Sequence, residues 1–245
     1  MLPPPTPALL DGASLLLDFD GTLVELAATP DAVVVSDRLR GLLTRAAEVL
    51  EGRVAIISGR PIAQIEGFLG SGLAVSGSHG LEVRWSSGRV QVPVRPPALD
   101  TALARLTAWA SARPGTLVEN KPFGAALHWR RVPEAEAEAQ ALVAGLAAES
   151  GLELQPGKMM AELRLGGADK GVALAALMAE PPMAGSRPVF LGDDVTDEPA
   201  MAAAAALGGA GVLVGAERTT AAAYRLEGVA AVLDWLETAL ASARR

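Results

Sequence analysis

Asp18-Phe-Asp-Gly-Thr22 places two carboxylates two residues apart, just past the end of a short apolar run. In a continuing strand they would share one face, but Gly21 marks a turn that lets them converge. Two acids so close repel unless a cation joins them or one keeps its proton. Taken alone, the pair reads as an ordinary strand-end Asp turn. A second acidic cluster overturns that reading: Gly192-Asp-Asp-Val-Thr-Asp-Glu198 follows another apolar run. If the two runs are neighbouring strands, the carboxylates of both clusters crowd one crevice, and a hard, oxygen-liking cation such as Mg2+ is their natural partner. Between the clusters lie groups suited to an anion. Ser58 ends a strand before a helix, where a hydroxyl and free backbone N–H groups can hold a phosphate oxygen. Lys170 falls in the first turn of a helix, where a cation opposes the helix dipole and so points to work done elsewhere.

The elements that must position these groups can be read along the chain. Residues 14–18 are an apolar run that reads as a strand buried on both faces. Ser36 caps a periodic helix over residues 37–50, and 54–57 is a second buried strand ending in Ser58-Gly-Arg60. Pro61 opens another helix, and 73–76 is a third strand, followed by Gly77-Ser-His-Gly80. This alternation predicts a doubly wound parallel sheet with right-handed crossovers. The middle differs: 81–85 and 89–94 read as a hairpin, 97–112 as a helix, 116–119 and 125–129 as strands, 133–149 as a helix and 159–165 as a strand. That order predicts an inserted α+β domain at 82–166, leaving 1–81 and 167–245 as an α/β core. The α/β rhythm then resumes. Asp169 caps a helix over 170–179, strands fall at 188–191 and 211–214, and a helix over 230–243 closes the chain. Ligands of such sheets sit at the carboxyl ends of the strands, where both acidic clusters lie.

Composition narrows the classes. The 245 residues are enough to bury a substantial core, and the formal charge of −7 makes a general binder of nucleic acid or of an anionic membrane a poor reading. With no cysteine, disulfide frameworks, thiolate metal sites and Cys nucleophiles are excluded, and two histidines leave little room for zinc. The N-terminal residues lack the basic and apolar regions of a signal peptide, and no unbroken apolar stretch is long enough to span a bilayer, so a cytoplasmic protein is expected.

The ordered set Asp-x-Asp-Gly-Thr, strand-end Ser, helix-start Lys and Gly-Asp-Asp-x-x-Asp resembles the haloacid-dehalogenase superfamily of aspartate-dependent phosphohydrolases. That resemblance implies Asp18 as the nucleophile, Asp20 as general acid and then base, and Thr22, Ser58 and Lys170 as holders of the phosphoryl oxygens. It implies Mg2+ on the Asp18 carboxylate, the Asp20 backbone carbonyl and Asp193, with Asp194 or Asp197 in support. The match then narrows. Ser58-Gly-Arg60, Gly77-Ser-His-Gly80, Val118-Glu-Asn-Lys121, Leu127-His-Trp129, the run from Gly157 to Arg164, Asp169-Lys-Gly171 and the second acidic cluster are similar to the trehalose-6-phosphate phosphatases. By that resemblance the inserted domain is a substrate-specificity cap in which Glu119, Lys121 and Glu162 bind the sugar. Arg60, His79 and Lys158 match substrate-binding positions near the core–cap crevice. One departure is Leu-Arg-Leu after Glu162, where the family often has Arg-Pro.

The residues keep blander readings beside these. Glu119 and Lys121 also suit a solvated hairpin edge, and His128, alternating with apolar neighbours, reads as a satisfied core histidine. The reading that the resemblance implies is an Mg2+-dependent phosphatase taking trehalose 6-phosphate to trehalose, with a functional link to a trehalose-phosphate synthase. An alternative keeps the chemistry with another sugar, as in sucrose-phosphate or glucosyl- or mannosyl-glycerate phosphatases. A third is a non-catalytic regulatory domain of the same fold, against which stand the intact Asp18, Asp20, Ser58, Lys170 and Asp193.

Overall fold

The computed structural model describes residues 2–27, 29 and 32–243. The chain divides into two compact units, residues 1–92 with 168–245 and residues 93–167.

In the larger unit the strands are β1 (Ala13–Leu17), β2 (Val54–Ile57), β3 (Ala74–Gly77), β4 (Glu82–Arg84), β5 (Val90–Gln91), β10 (Arg187–Gly192), β11 (Ala210–Val214) and β12 (Tyr224–Leu226). They form one sheet in the order β12-β11-β10-β1-β2-β3-β4-β5. The pairs from β12 to β3 are parallel, and β4 and β5 add an antiparallel edge. The central strands are mostly apolar because both faces are covered. One face carries α1 (Asp37–Val49), α2 (Ile62–Leu69) and α7 (Val229–Ser242), packed through Leu39, Leu43, Ile65, Val232 and Leu236. The other carries α5 (Lys170–Met178) and α6 (Glu198–Ala206), through Leu174, Leu177 and Met201. Each fully buried leucine of β1 contributes about 1.5–3 kcal/mol relative to exposure, which anchors the strand from which the first acidic motif leaves. The doubly wound α/β expectation is met.

The smaller unit holds α3 (Pro97–Ser111), β6 (Leu117–Lys121), β7 (Gly124–His128), α4 (Glu136–Ser150), β8 (Glu153–Gly157) and β9 (Met160–Arg164). Its antiparallel sheet runs β6-β7-β9-β8. Leu99 and Leu106 of α3 and Val143 and Leu146 of α4 pack on Ala125, Leu127 and Leu163, which line one face of the sheet.

Among the described strands and α-helices, α6, β8 and β12 were not expected from sequence. The hairpin of β4 and β5 also falls differently. Ser76 faces Val83 in an antiparallel pairing with β3, so the hairpin extends the larger sheet, and the second compact unit begins at residue 93 and not at 82.

Candidate active site

Parallel pairing brings the acidic motifs together. β1 lies between β2 and β10, with Leu17 opposite both Ile56 and Leu191, so Asp18, Ser58 and Gly192 all leave the sheet at the same end. The N–H of Asp18 donates to the carbonyl of Leu191 at 2.9 Å, continuing the ladder by one residue. The chain then folds back in a tight turn, with Gly21 donating to Val24 and both Leu23 and Val24 donating to Phe19. Gly21 has a φ of +81°, and a Cβ there would stand 2.5 Å from Cγ of Asp193. Only glycine allows the second acidic loop to come so close.

Nζ of the buried Lys170 donates to Oδ1 of Asp18 and Oδ1 of Asp197, at 2.6 Å each. Lys170 is the first residue of α5, whose N-cap Asp169 accepts from Val172 N–H at 2.8 Å. The ammonium is therefore held by two carboxylates, although its place at a helix N-terminus disfavours it. Asp197 is wholly buried and also accepts from the N–H of Asp194 through Oδ2 at 2.9 Å. Ligand atoms of Asp18, Asp193 and Asp197 lie within 4.8 Å of one another. Asp194 is outside this group: it is exposed, and its carboxylate caps its own turn through Val195 N–H.

Burial pushes the Asp18 carboxyl up to about 8, against the pull of Lys170 and with the help of Asp197 and Asp193. Burial, then Asp197 and Asp194, push Asp193 up to about 6. Burial disfavours a charged Lys170, but Asp18 and Asp197 outweigh it and raise its pKa. One ammonium thus leaves the acids short of positive charge. All the donors are hard oxygens, so the residues present fit Mg2+.

Around this centre, Thr22 is buried with its hydroxyl 3.4 Å from Oδ1 of Asp193. The buried Ser58 hydroxyl accepts from the N–H of Arg60 at 3.1 Å. Asp20 is not grouped with the other acids: its carboxylate meets the guanidinium of Arg60. His79 N–H donates to the carbonyl of Ser58 at 3.1 Å, and its ring lies over Gly59.

Two residues outside the expected set brace these loops. The buried Glu82 accepts at Oε2 from Ile62 N–H at 3.1 Å and from the Ser78 hydroxyl at 2.9 Å. It ties the start of α2 to a turn in which Ser78 and His79 take positive φ of 50° and 56°. Arg218 pairs with Glu198 and donates to the carbonyl of Asp194 at 2.8 Å, pinning the second acidic loop. Neither has a spacing signal, because each works through backbone groups of another segment.

In the smaller unit, register aligns Glu119, Ala126, Glu162 and Gln155 straight across four strands. Lys121 Nζ donates to Oε2 of Glu162 at 2.5 Å, and Nε2 of His128 lies 3.2 Å from Oε2 of Glu119. Gly124 leaves room for this pairing, since a Cβ there would stand 2.5 Å from Oε1 of Glu162. Glu119, Lys121 and Glu162 thus share one sheet face, and Lys158 stands exposed at the tip of the β8–β9 hairpin.

The family model for trehalose-phosphatase matches residues 16–230, through both acidic motifs and the inserted unit. The chain belongs to the trehalose-phosphatase family. A probable trehalose-phosphate phosphatase of Sinorhizobium fredii is 36% identical over 209 residues, covering 84% of this chain and 79% of that protein. The trehalose-6-phosphate phosphatase of Escherichia coli is 36% identical over 235 residues, covering 95% and 88%. In fold the chain is similar to the C-terminal domain of C. albicans trehalose-6-phosphate phosphatase, with a TM-score of 0.80, 22% identity and 100% of each chain covered. A haloacid-dehalogenase-like hydrolase from Bacteroides thetaiotaomicron shares the fold at a TM-score of 0.68, 18% identity and coverage of 92% and 98%. Among the described residues, no helix is long and apolar enough to cross a membrane.

Proposed function

We propose that this member of the trehalose-phosphatase family is an Mg2+-dependent hydrolase that takes trehalose 6-phosphate to trehalose and phosphate. The observation that carries the reading is the buried Asp18 carboxylate at the end of β1, held by Lys170 beside Asp193 and Asp197.

In this reading Asp18 attacks phosphorus, the bond to the sugar oxygen breaks, and Asp20 gives its proton to that oxygen. Asp20 then takes a proton from water as the water oxygen attacks the aspartyl-phosphate, which restores Asp18 and frees phosphate. Lys170, Thr22 and Ser58 hold the phosphoryl oxygens while charge shifts among them. The carboxylates of Asp18 and Asp193, with Asp197 or Asp194 in support and the Asp20 carbonyl, would hold Mg2+. When bound, Mg2+ supplies positive charge that offsets the repulsion between an anionic nucleophile and an anionic ester.

Sugar recognition falls to Glu119, Lys121 and Glu162 of the inserted unit, whose charged side chains bind hydroxyls strongly. His79 and Lys158 assist them. The reading places the protein in the cytoplasm and links it functionally to a trehalose-phosphate synthase, the enzyme class that would supply the substrate.

The test is phosphate release by the purified chain across trehalose 6-phosphate, sucrose 6-phosphate and glucosylglycerate phosphate, with and without Mg2+. Release fastest from trehalose 6-phosphate, and only with the metal, supports the reading. Release from none of them would overturn it.

A further inference from the structure

The resemblance implies a substrate-binding position for Arg60, yet its side chain is already committed within its own unit. Nε lies 2.6 Å from Oδ2 of Asp20 and Nη2 lies 2.7 Å from Oδ1, so the guanidinium fork holds both carboxylate oxygens. Only 11% of the Arg60 side chain and 30% of that of Asp20 is exposed. The guanidinium carbon stands 5.7 Å from the ring centre of Phe19 and 5.4 Å from that of Phe68, and the two rings stack 5.7 Å apart. Phe19 lies between the two aspartates of the first motif, and Phe68 belongs to α2. The Arg60 backbone is fixed as well, its N–H on the Ser58 hydroxyl and its carbonyl accepting from Ser78 N–H at 2.9 Å.

A planar cation seated on two rings and forked onto one carboxylate has little rotational freedom left, and it passes that restriction to the carboxylate. We propose that Arg60 is a positioning residue for Asp20, fixing the plane of the carboxyl that protonates the leaving oxygen. The inference rests on the reading of Asp20 as proton donor. As the P–O bond breaks, the proton passes from Asp20 to the leaving oxygen and Asp20 becomes an anion. A bidentate guanidinium binds that form best, so Arg60 holds Asp20 aimed until water returns a proton in the second half-reaction. The role is one of orientation, because neither sugar nor phosphorus need touch Arg60.

Two sugar-free substrates separate this role from binding. Phenyl phosphate has a poor leaving group that needs protonation, whereas p-nitrophenyl phosphate needs little. For the Mg2+-loaded protein, Arg60→Ala should lower kcat/KM for phenyl phosphate at least about tenfold more than for p-nitrophenyl phosphate, since general acid catalysis is worth about 10²–10⁴-fold. KM for both esters should hardly change, and millimolar guanidinium chloride should restore part of the phenyl phosphate rate. Arg60→Lys should recover little, because an ammonium cannot hold two oxygens in one plane. Arg60→Gln carries the same comparison if Arg60→Ala does not fold. Equal losses on both esters would overturn the proposal and make Arg60 a phosphoryl or structural group. A loss confined to trehalose 6-phosphate would overturn it in favour of sugar contact. Asp20→Asn is the reference: if it shows the leaving-group preference and the Arg60 variants do not, only this proposal fails. If Asp20→Asn shows none, the role of Asp20 as proton donor fails first, and the proposal with it.

Discussion

Nζ of Lys170 and Oδ1 of Asp18 meet at 2.6 Å with both side chains almost wholly out of water, though 152 residues separate them in the chain. Asp197 shares the same ammonium. Removing that cation strands two buried carboxylates. Lys170→Met, similar in shape, should therefore cost about 3–5 kcal/mol of stability, the usual effect of breaking a buried pair from one side, and should abolish turnover. Urea denaturation compared with the parent chain measures the first effect. An unchanged midpoint would show that the pair does not hold the fold.

Metal binding can be followed apart from activity. Mg2+ at a hundredfold excess over its dissociation constant should stabilise the chain by about 2.7 kcal/mol, seen as a rise in Tm that EDTA reverses. Asp193→Asn should remove most of that rise. Arg218→Met should weaken Mg2+ affinity about 10–100-fold, because it frees the carbonyl of Asp194 and with it the second acidic loop. Titration calorimetry on the three proteins reads both effects.

Specificity should separate from chemistry. Each charged hydrogen bond is worth about 1.5–3 kcal/mol, so Glu119→Ala or Glu162→Ala should lower kcat/KM for trehalose 6-phosphate by roughly ten- to hundredfold. Hydrolysis of p-nitrophenyl phosphate should stay near normal. Asp18→Asn should lose both activities by orders of magnitude while keeping its fold. Equal loss on both substrates in the Glu variants would remove them from sugar binding.

The pairing of Glu119 with His128 makes a prediction about pH. The hydrogen bond from His128, against partial burial, holds the Glu119 carboxyl below its ordinary value of 4.5. A lowered folded-state value stabilises the fold in full above the ordinary value and loses that contribution as pH falls through the lowered one. The stability gap between the parent and Glu119→Gln should therefore be present at neutral pH and close in acid below about pH 4. With 41% of the Glu119 side chain exposed, the gap should stay under about 1 kcal/mol. Denaturation midpoints across that range would show it, and a gap that widens in acid would contradict the assignment.

Much of this was legible in sequence because the signals were local. Apolar runs bounded by Gly gave β1, β2 and β10, and the residue types after them gave Asp18, Ser58 and Asp193. What stayed hidden depended on other segments. β8 reads as loop because Pro156 and Gly157 interrupt a mostly exposed edge strand that only its register with β9 defines. The β4–β5 hairpin is visible as a hairpin, but nothing within it tells which sheet it will join. α6 is a run of alanines with almost no polar face, so periodicity is weak. Asp194 and Asp197 are indistinguishable by spacing, and the structure separates them through burial and the reach of Lys170. Arg60 carried its family position but not its partner, since only folding brings it to Asp20.

The place of β1 between β2 and β10 also bears on how the chain is made. As synthesis proceeds from the N-terminus, β1 can dock on β2 early, but its other edge has no partner until β10 leaves the ribosome. By then the whole inserted unit has emerged. For that interval a mostly apolar strand keeps one row of backbone donors and acceptors unpaired, the feature that invites strand addition by another chain. Asp18 exists from the outset, while Lys170, Asp193 and Asp197, which gather around it, arrive only with the last third of the polypeptide. A nascent chain that stalls within the insertion is therefore inert as a catalyst and sticky as a sheet.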